Sequence, residues 1–363
     1  VKLVVFGLSL SSSWGNGHAT TYRSLLRAFA DRGHTITFFE WDAPWYSGSH
    51  RDLPDPRFAR LVLYSSWDEV RSKALAEAAT ADATLVGSFV HDGARLIDDL
   101  ADEGVDPLFY YDIDTPVTIA GLRGPGVEYL RRDQIPIFTR YLSFTGGPFL
   151  REVLEEEFGA RAASPLFCSV DPESHRRAAV DPDFEVDLAY MGTYAPDRQP
   201  VVDQFLVEVA RRLPGRTFLV AGPQYPAGIA WPRNVLHVAH LPPGRHAAFY
   251  SSAHWQLNAT RSDMVAAGWS PSVRLFEAGA VGASVISDRW AGIDTLFSPG
   301  VEILLPRDTD EVVDVIESTP DDARRAIGAA LRARILDEHT ADRRAEELEG
   351  YLSNEGSARI GPP

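Results

Sequence analysis

The chain has 363 residues, enough for two domains at roughly 150 residues each, and its 45% hydrophobic and 24% charged content is that of a globular protein. A formal net charge of −16 excludes the broadly basic surface that nucleic acid or an anionic membrane would require of a partner. The one cysteine, Cys168, lies in the apolar stretch 165–168 and reads as a buried thiol in a cytoplasmic protein.

Residues 2–7 are a continuous apolar run, as a central parallel strand requires. Residues 2–10 lack the long apolar core and cleavage site of a leader peptide. A Ser/Gly loop follows, then Tyr22, Leu25, Leu26 and Phe29 at helical spacing, closed by Gly33. Residues 35–40 are β-branched and aromatic and predict a second strand. Strands over 60–64, 83–87, 107–112 and 140–145 alternate with helices such as 67–81 and 93–103. That alternation predicts a parallel sheet covered on both faces. Residues 171–183 are polar, contain Pro172 and Pro182, and read as a linker. The pattern then restarts, with strands over 186–191, 217–221, 235–239, 254–258, 283–287 and 302–305 and helices over 201–212, 244–251, 272–281 and 309–318. A charged helical stretch over 320–352 and a frayed tail over 353–363 end the chain. No apolar run approaches the roughly 20 residues of a membrane span, so no stable membrane insertion is expected.

In open α/β sheets ligands bind beyond the carboxyl ends of the strands. Six segments there carry chemistry. After strand one, Gly15, Asn16 and Gly17 allow close backbone approach, and His18 stands at the first turn of a helix, where the dipole favours a neutral imidazole. Asp112 and Asp114 end another strand. They can orient sugar hydroxyls, assist proton transfer or cap the turn before Pro116, and with no further ligand cluster no metal is expected. Thr145 and Gly146 form a hydroxyl- and glycine-rich loop. Trp41, Trp45 and Tyr46 follow strand two and either stack on an acceptor or belong to the local core. In the second half, Gly192, Thr193 and Arg198 follow the first strand, and Arg261, Ser270, Ser272, Arg274 and Glu277 run from a strand through a loop into a helix. Hydroxyls, helix N–H groups and a guanidinium suit a diphosphate, and a carboxylate one turn on suits a ribose diol. Small residues over 278–283 are expected to allow close packing at a cleft.

The segment 272–287 (SVRLFEAGAVGASVIS), followed by Asp288, Arg289, Trp290 and residues 299–303, resembles the nucleotide-binding half of GT-B glycosyltransferases. More narrowly, the chain resembles the CgeB-like, spore-maturation type of glycosyltransferase, through residues 14–18, 111–118, 143–148, 168–172, 191–198, 221–226 and 258–261. The resemblance implies two Rossmann-like, doubly wound parallel-sheet α/β domains facing a central cleft. It places an acceptor-binding domain at 1–168, a nucleotide-sugar domain at 169–335, and a helix returning to the first domain with a tail at 336–363. By the same resemblance Glu277 matches a ribose-binding glutamate, Ser272 and Arg274 grip phosphates, residues 238–241 with His240 and Leu241 hold the base, and residues 15–18 meet the donor sugar. Where retaining family-4 enzymes carry a second glutamate, this chain has Trp269, which leaves retention or inversion open. An inverting reaction would draw its base from His18 or Asp114. The expected function is metal-independent transfer, without a cofactor, from a nucleotide diphosphate sugar to a soluble acceptor. Acceptor contacts are expected from Asp112, Thr145, Gly146 and Trp45. A nucleotide-sugar epimerase and a non-catalytic sugar-nucleotide-binding protein are the alternatives.

Overall fold

A computed structural model describes residues 1–14, 17–46 and 50–357. The chain divides into two compact units, one made of Val1–Ser169 with Ala341–Pro363 and the other of Val170–Thr340.

The first unit is built on seven strands: β1 (Lys2–Phe6), β2 (Thr35–Trp41), β3 (Arg60–Tyr64), β4 (Ala83–Gly87), β5 (Leu108–Asp112), β6 (Arg140–Ser143) and β7 (Ala163–Pro165). They pair in the order β3-β2-β1-β4-β5-β6-β7, every pair parallel. The order reverses at β1, so the loops after β1 and β4 diverge and open a crevice at the carboxyl edge. The three-residue β7 is too short to show a pattern in sequence, and only its pairing with β6 defines it.

The pleat explains the apolar run of β1. Val4 and Phe6 enter a core with Trp67, Leu96 and Ile97, while Leu3 and Val5 enter the opposite one with Tyr22, Leu25, Leu26 and Phe29. The helix Ala341–Ser357 completes the second layer beside the helix His18–Asp31. It adds Ala345, Leu348 and Leu352, a leucine buried this way contributing about 1.5–3 kcal/mol. Arg32 and His34 both meet Glu349 on that helix, and the Arg32 hydrogen bond is the main reason its carboxyl titrates down at about 2.

The second unit carries β8 (Leu188–Met191), β9 (Phe218–Ala221), β10 (Val235–Val238), β11 (Trp255–Asn258) and β12 (Val285–Ser287), all parallel, in the order β10-β9-β8-β11-β12. Residues 302–305, expected as a further strand, make only isolated bridges. Gly300, at φ +80, turns the chain back on itself, so that Leu304 alone reaches Ile286. The helical stretch expected over 320–352 is two helices, Asp321–Glu338 and Ala341–Ser357, because the chain breaks at His339 and Thr340 to bridge Val170. The last helix continues through Ser357, past the expected start of the tail.

The small residues over 278–283 also have a different role from the one expected. They let two helices touch. A Cβ on Gly279 would lie 2.6 Å from Ile335, and one on Gly328 would lie 2.4 Å from the Gly282 carbonyl oxygen. Cys168 is buried, as its apolar neighbours imply. No described helix is long and apolar enough to cross a membrane.

One close contact in the first unit gives a direct test of packing. A Cβ on Gly87, at the end of β4, would lie 1.8 Å from the hydroxyl oxygen of Tyr22. That hydroxyl is buried with no hydrogen-bond partner among the described residues, and burial raises its pKa. Gly87→Ala is expected to destabilise the protein by about 1–3 kcal/mol through overpacking, whereas Tyr22→Phe is expected to be neutral or stabilising. Combining them should recover most of the loss. Chemical denaturation of the three variants checks this, and simple additivity of the two effects would contradict the contact.

Candidate functional site

The first unit gathers its polar residues where β1, β4 and β5 end. His18 opens the helix His18–Asp31, and Asp114 caps the helix Thr115–Arg123 just beyond β5. The His18 Nε2 lies 3.0 Å from Asp114 Oδ2. His18 is buried, with the edge of the Phe89 ring against it, while the Asp114 side chain is 44% exposed. Phe89 adopts φ +62 to make this contact after β4. The His18 Nδ1 is buried with no hydrogen-bond partner among the described residues. With the Nε2 proton donated to Asp114, the exposed carboxylate is the accessible base of the pair and His18 the group that orients it.

Two fully buried carboxylates hold this edge in shape. Asp112 accepts from Tyr141 Oη at 2.5 Å, Thr118 Oγ1 at 2.9 Å and the Asp114 backbone N–H at 3.3 Å. Burial raises its pKa to about 6, against the pull of the two hydroxyls. With both oxygens engaged and no surface exposed, Asp112 shapes the turn that presents Asp114 and faces no acceptor itself. Glu40, at the end of β2, accepts from the backbone N–H groups of Leu10 and Ser11 at 2.6 and 2.9 Å, and from the hydroxyls of Ser9 and Ser11. It pins the loop after β1 from beneath. Asp52 secures the same loop from outside through Ser13 and a two-pronged bond to Arg23, whose hydrogen bond is the main reason its pKa is lowered.

Other expected residues of this unit are placed less directly. Gly17 precedes the His18 helix as its cap, and Gly15 and Asn16 lie outside the described residues. Thr145 is buried, its N–H donating to Ser143 Oγ at 2.9 Å. Gly146 is buried beneath Phe167, whose ring a Cβ would meet at 2.7 Å. Trp45 is 49% exposed and touches Trp41 edge-on, so it stands outside the core.

The second unit builds its site around Arg274, in the first turn of the helix Val273–Val281. Its Nε donates to the Met191 carbonyl at 2.6 Å and its Nη1 to Asn258 Oδ1 at 2.9 Å, and the guanidinium lies 4.9 Å over the Tyr190 ring. Asn258 Oδ1 also accepts from Ser272 Oγ at 2.7 Å, while its amide donates to Thr260 and Ser287. The ends of β8, β11 and β12 are thereby tied to one helix. Glycine is obligatory beside them. A Cβ on Gly192 would meet Arg274 Nη2 at 2.9 Å, and one on Gly222, at φ +152, would meet the Gly192 carbonyl oxygen at 2.0 Å.

Two further guanidiniums approach Arg274. Arg198 donates to the Thr193 carbonyl at 2.6 Å, and its Nε is buried without a partner among the described residues. Burial, then the charges of Arg274 and Arg261, lower its pKa against the opposing pull of Tyr190. Arg261 lies 3.6 Å from Asp197, which also accepts the Ser262 backbone N–H. Arg198 and Arg261 thus face Asp197, and the buried Asp288 carboxylate accepts from Asn258 and Thr260 beside them. Thr193 is exposed and Ser270 buried.

Glu277 lies one turn beyond Arg274. Tyr250 Oη donates to it at 3.1 Å, and His175 Nε2 is 3.7 Å away. Burial pushes its carboxyl up, but His175 foremost holds it below the usual range. Burial likewise opposes charge on His175, yet Glu277 raises its pKa overall. His240 is exposed beyond β10, and the Leu241 carbonyl lies 3.2 Å from His246 Nε2. Trp269, at φ +43, packs its indole where a Cβ on Gly292 would fall.

The sequence reading overlooked Glu40, His175 and Tyr250, and it included Asn258 in the segment 258–261 without a role of its own. A lone Glu, His or Tyr carries no local pattern, and His175 lay in what reads as a linker. Position at a strand end was the available signal for Glu40 and Asn258.

Residues 198–350 match the family described as glycosyl transferase-like. No curated protein sequence matches the chain. Among solved structures, sucrose-phosphate synthase from Thermosynechococcus elongatus aligns with a TM-score of 0.69 at 12% identity, over 98% of this chain and 99% of that one. Anabaena HepE in complex with UDP-glucose aligns at 0.64 and 11% identity, over 97% and 99%. An alpha-glucosyltransferase in complex with UDP-glucose and DNA containing an abasic site aligns at 0.66 and 12% identity, again over 97% and 99%. The seven- and five-stranded parallel α/β units therefore form the GT-B fold. With that fold and a glycosyl transferase-like region over 198–350, the chain is a glycosyltransferase.

Proposed function

We propose that this enzyme moves a sugar from a uridine diphosphate sugar to a hydroxyl of a soluble cytoplasmic acceptor, without a metal, as a member of the CgeB-like type that its sequence resembles. The observation that carries this reading is the excess of positive charge at the carboxyl end of the second sheet. Arg198, Arg261 and Arg274 converge there with Asp197 and the buried Asp288 as the carboxylates, and burial foremost, then the charges of Arg274 and Arg261, lowers the Arg198 pKa. A diphosphate relieves that repulsion and accepts from the N–H groups opening the Val273–Val281 helix. HepE and the alpha-glucosyltransferase, which share the fold, bind UDP or UDP-glucose in their structures, which favours uridine as the base.

In this reading Arg198 and Arg274 stabilise the charge that develops on the departing diphosphate, the largest catalytic contribution in such a reaction. They supply the positive charge for which other transferases recruit a metal. Gly192 and Thr193 bring backbone to the sugar phosphate, Glu277 accepts from the ribose hydroxyls, and His240 with Leu241 flanks the base. On the acceptor side, His18 Nε2 donates to Asp114 and orients it, and the exposed Asp114 carboxylate takes the proton of the attacking hydroxyl. The bond from the anomeric carbon to the phosphate oxygen breaks as the bond to the acceptor oxygen forms. Thr145, Gly146 and Trp45 border the acceptor. A formal charge of −16 supports a soluble acceptor over a membrane lipid or nucleic acid.

Calorimetric titration with UDP, GDP, dTDP and ADP is expected to show micromolar affinity for UDP. Arg198→Ala is expected to weaken it by about 1.5–3 kcal/mol, the worth of a hydrogen bond to a charged group. Equal affinity in that variant, or no affinity for any of the four, would remove the donor site from the arginine cluster. His18→Ala and Asp114→Asn are expected to lower turnover about 10²-fold while leaving the UDP dissociation constant unchanged. Turnover within a factor of two of wild type would reduce the pair to a structural contact. Activity should persist in excess chelator; its loss, with recovery on adding Mg²⁺ or Mn²⁺, would overturn the metal-independent reading.

A further inference from the structure

The second unit has another concavity, at the opposite end of its sheet from the arginine cluster just described. A cavity of about 580 Å³ opens where β11 and β12 begin, with His254 preceding one strand and Ser284 the other. Its volume lies within the roughly 300–1,000 Å³ of small-molecule sites. Four arginines line it: Arg177 from the segment before β8, and Arg324, Arg325 and Arg332 from the helix Asp321–Glu338.

Two of these have structural work that explains their presence. Arg324 donates to the His254 carbonyl at 3.0 Å and to Asp321, and Arg332 donates to the Ala280 carbonyl at 3.0 Å, near the negative end of the Val273–Val281 helix. Arg325 has only a 3.5 Å contact with Asp321, itself shared with Arg324, and its side chain is 57% exposed. Arg177 is exposed and makes no hydrogen bond or ion pair among the described residues. Neither supports a carbonyl. Glu185 is the carboxylate on the cavity wall. Four guanidiniums therefore share a concave surface with one carboxylate, and Asp321 pairs with Arg324 and Arg325 outside the lining, in a chain whose formal charge is −16. A like-charge cluster of that kind is unfavourable when empty and favours a multiply charged anion, which guanidiniums grip through paired N–H bonds.

We propose that this cavity is a second anion site, which takes a small molecule bearing a diphosphate or two phosphates, separate from the donor site at the other end of the sheet. The proposal stands whether or not the donor reading holds.

The probe is inorganic pyrophosphate, titrated calorimetrically into the full-length protein with and without saturating UDP. Pyrophosphate is expected to bind in the presence of UDP, and the double variant Arg177→Glu, Arg325→Glu is expected to weaken it at least tenfold with UDP affinity unchanged. Both positions are exposed, and Arg177→Gln, which removes charge without adding any, is expected to weaken binding in the same direction should the double variant unfold. Absence of pyrophosphate binding to wild type, its abolition by UDP, or equal affinity in wild type and the Arg177→Gln variant would each overturn the proposal. If UDP itself does not bind, the comparison of wild type with the variants still decides this site, while the donor reading fails separately.

Discussion

A buried guanidinium must be hydrogen-bonded or it is prohibitively costly, and Arg274 meets that demand by taking its acceptors from two different strands. The Met191 carbonyl ends β8 and the Asn258 side chain ends β11, so the cation can be satisfied only when both strands and the helix that carries it are in place. The rest of the second unit's carboxyl edge follows from this. Asn258 must present its oxygen to Arg274 and Ser272, which directs its amide to Thr260 and Ser287. Gly192 must lack a side chain because Arg274 Nη2 and the Tyr190 hydroxyl occupy the space, and Gly222 must lack one because Gly192 fills its own. The cost of orienting the guanidinium is met during folding, before any ligand arrives.

The first unit solves the matching problem with the opposite charge. Glu40 and Asp112 are carboxylates with no exposed surface, each enclosed by hydroxyl and backbone donors from the loops they stabilise. Neither is placed to meet a ligand. Their effect is to hold the loop after β1 and the turn after β5 in fixed positions, and the His18–Asp114 pair is the product of that arrangement. In the first unit, then, the buried carboxylates are scaffold and the exposed Asp114 sits two residues from one of them, whereas in the second Arg274 both holds the strand ends together and keeps its charge at the site.

Much of this was legible in order along the chain. Apolar runs of strand length, alternating with helical periodicity, predict two parallel sheets because a strand buried on both faces has no polar side to show. Strand ends then point to His18, Asp114, Arg198 and Arg274 by position alone. The misreadings share a physical origin. Residues 302–305 have strand composition, but Gly300 turns them away from the ladder. The small residues over 278–283 were compatible with any close neighbour, and that neighbour is the Asp321–Glu338 helix. Asp112 and Asp114 look equivalent in sequence, yet one is enclosed by Tyr141 and Thr118 and the other is nearly half exposed.

What the sequence by itself determined was the alternation of elements, the restart after the first sheet and the residue types at each strand end, because periodicity and burial are local properties of the chain. What only the tertiary structure decided was which of those residues meet. His18 and Asp114 are 96 positions apart, and Arg274 and Met191 are 83 apart. No local pattern encodes such pairs. Strand order does, by bringing distant loops to one edge of a sheet, and burial then assigns each charged group either to hold the fold or to face a ligand.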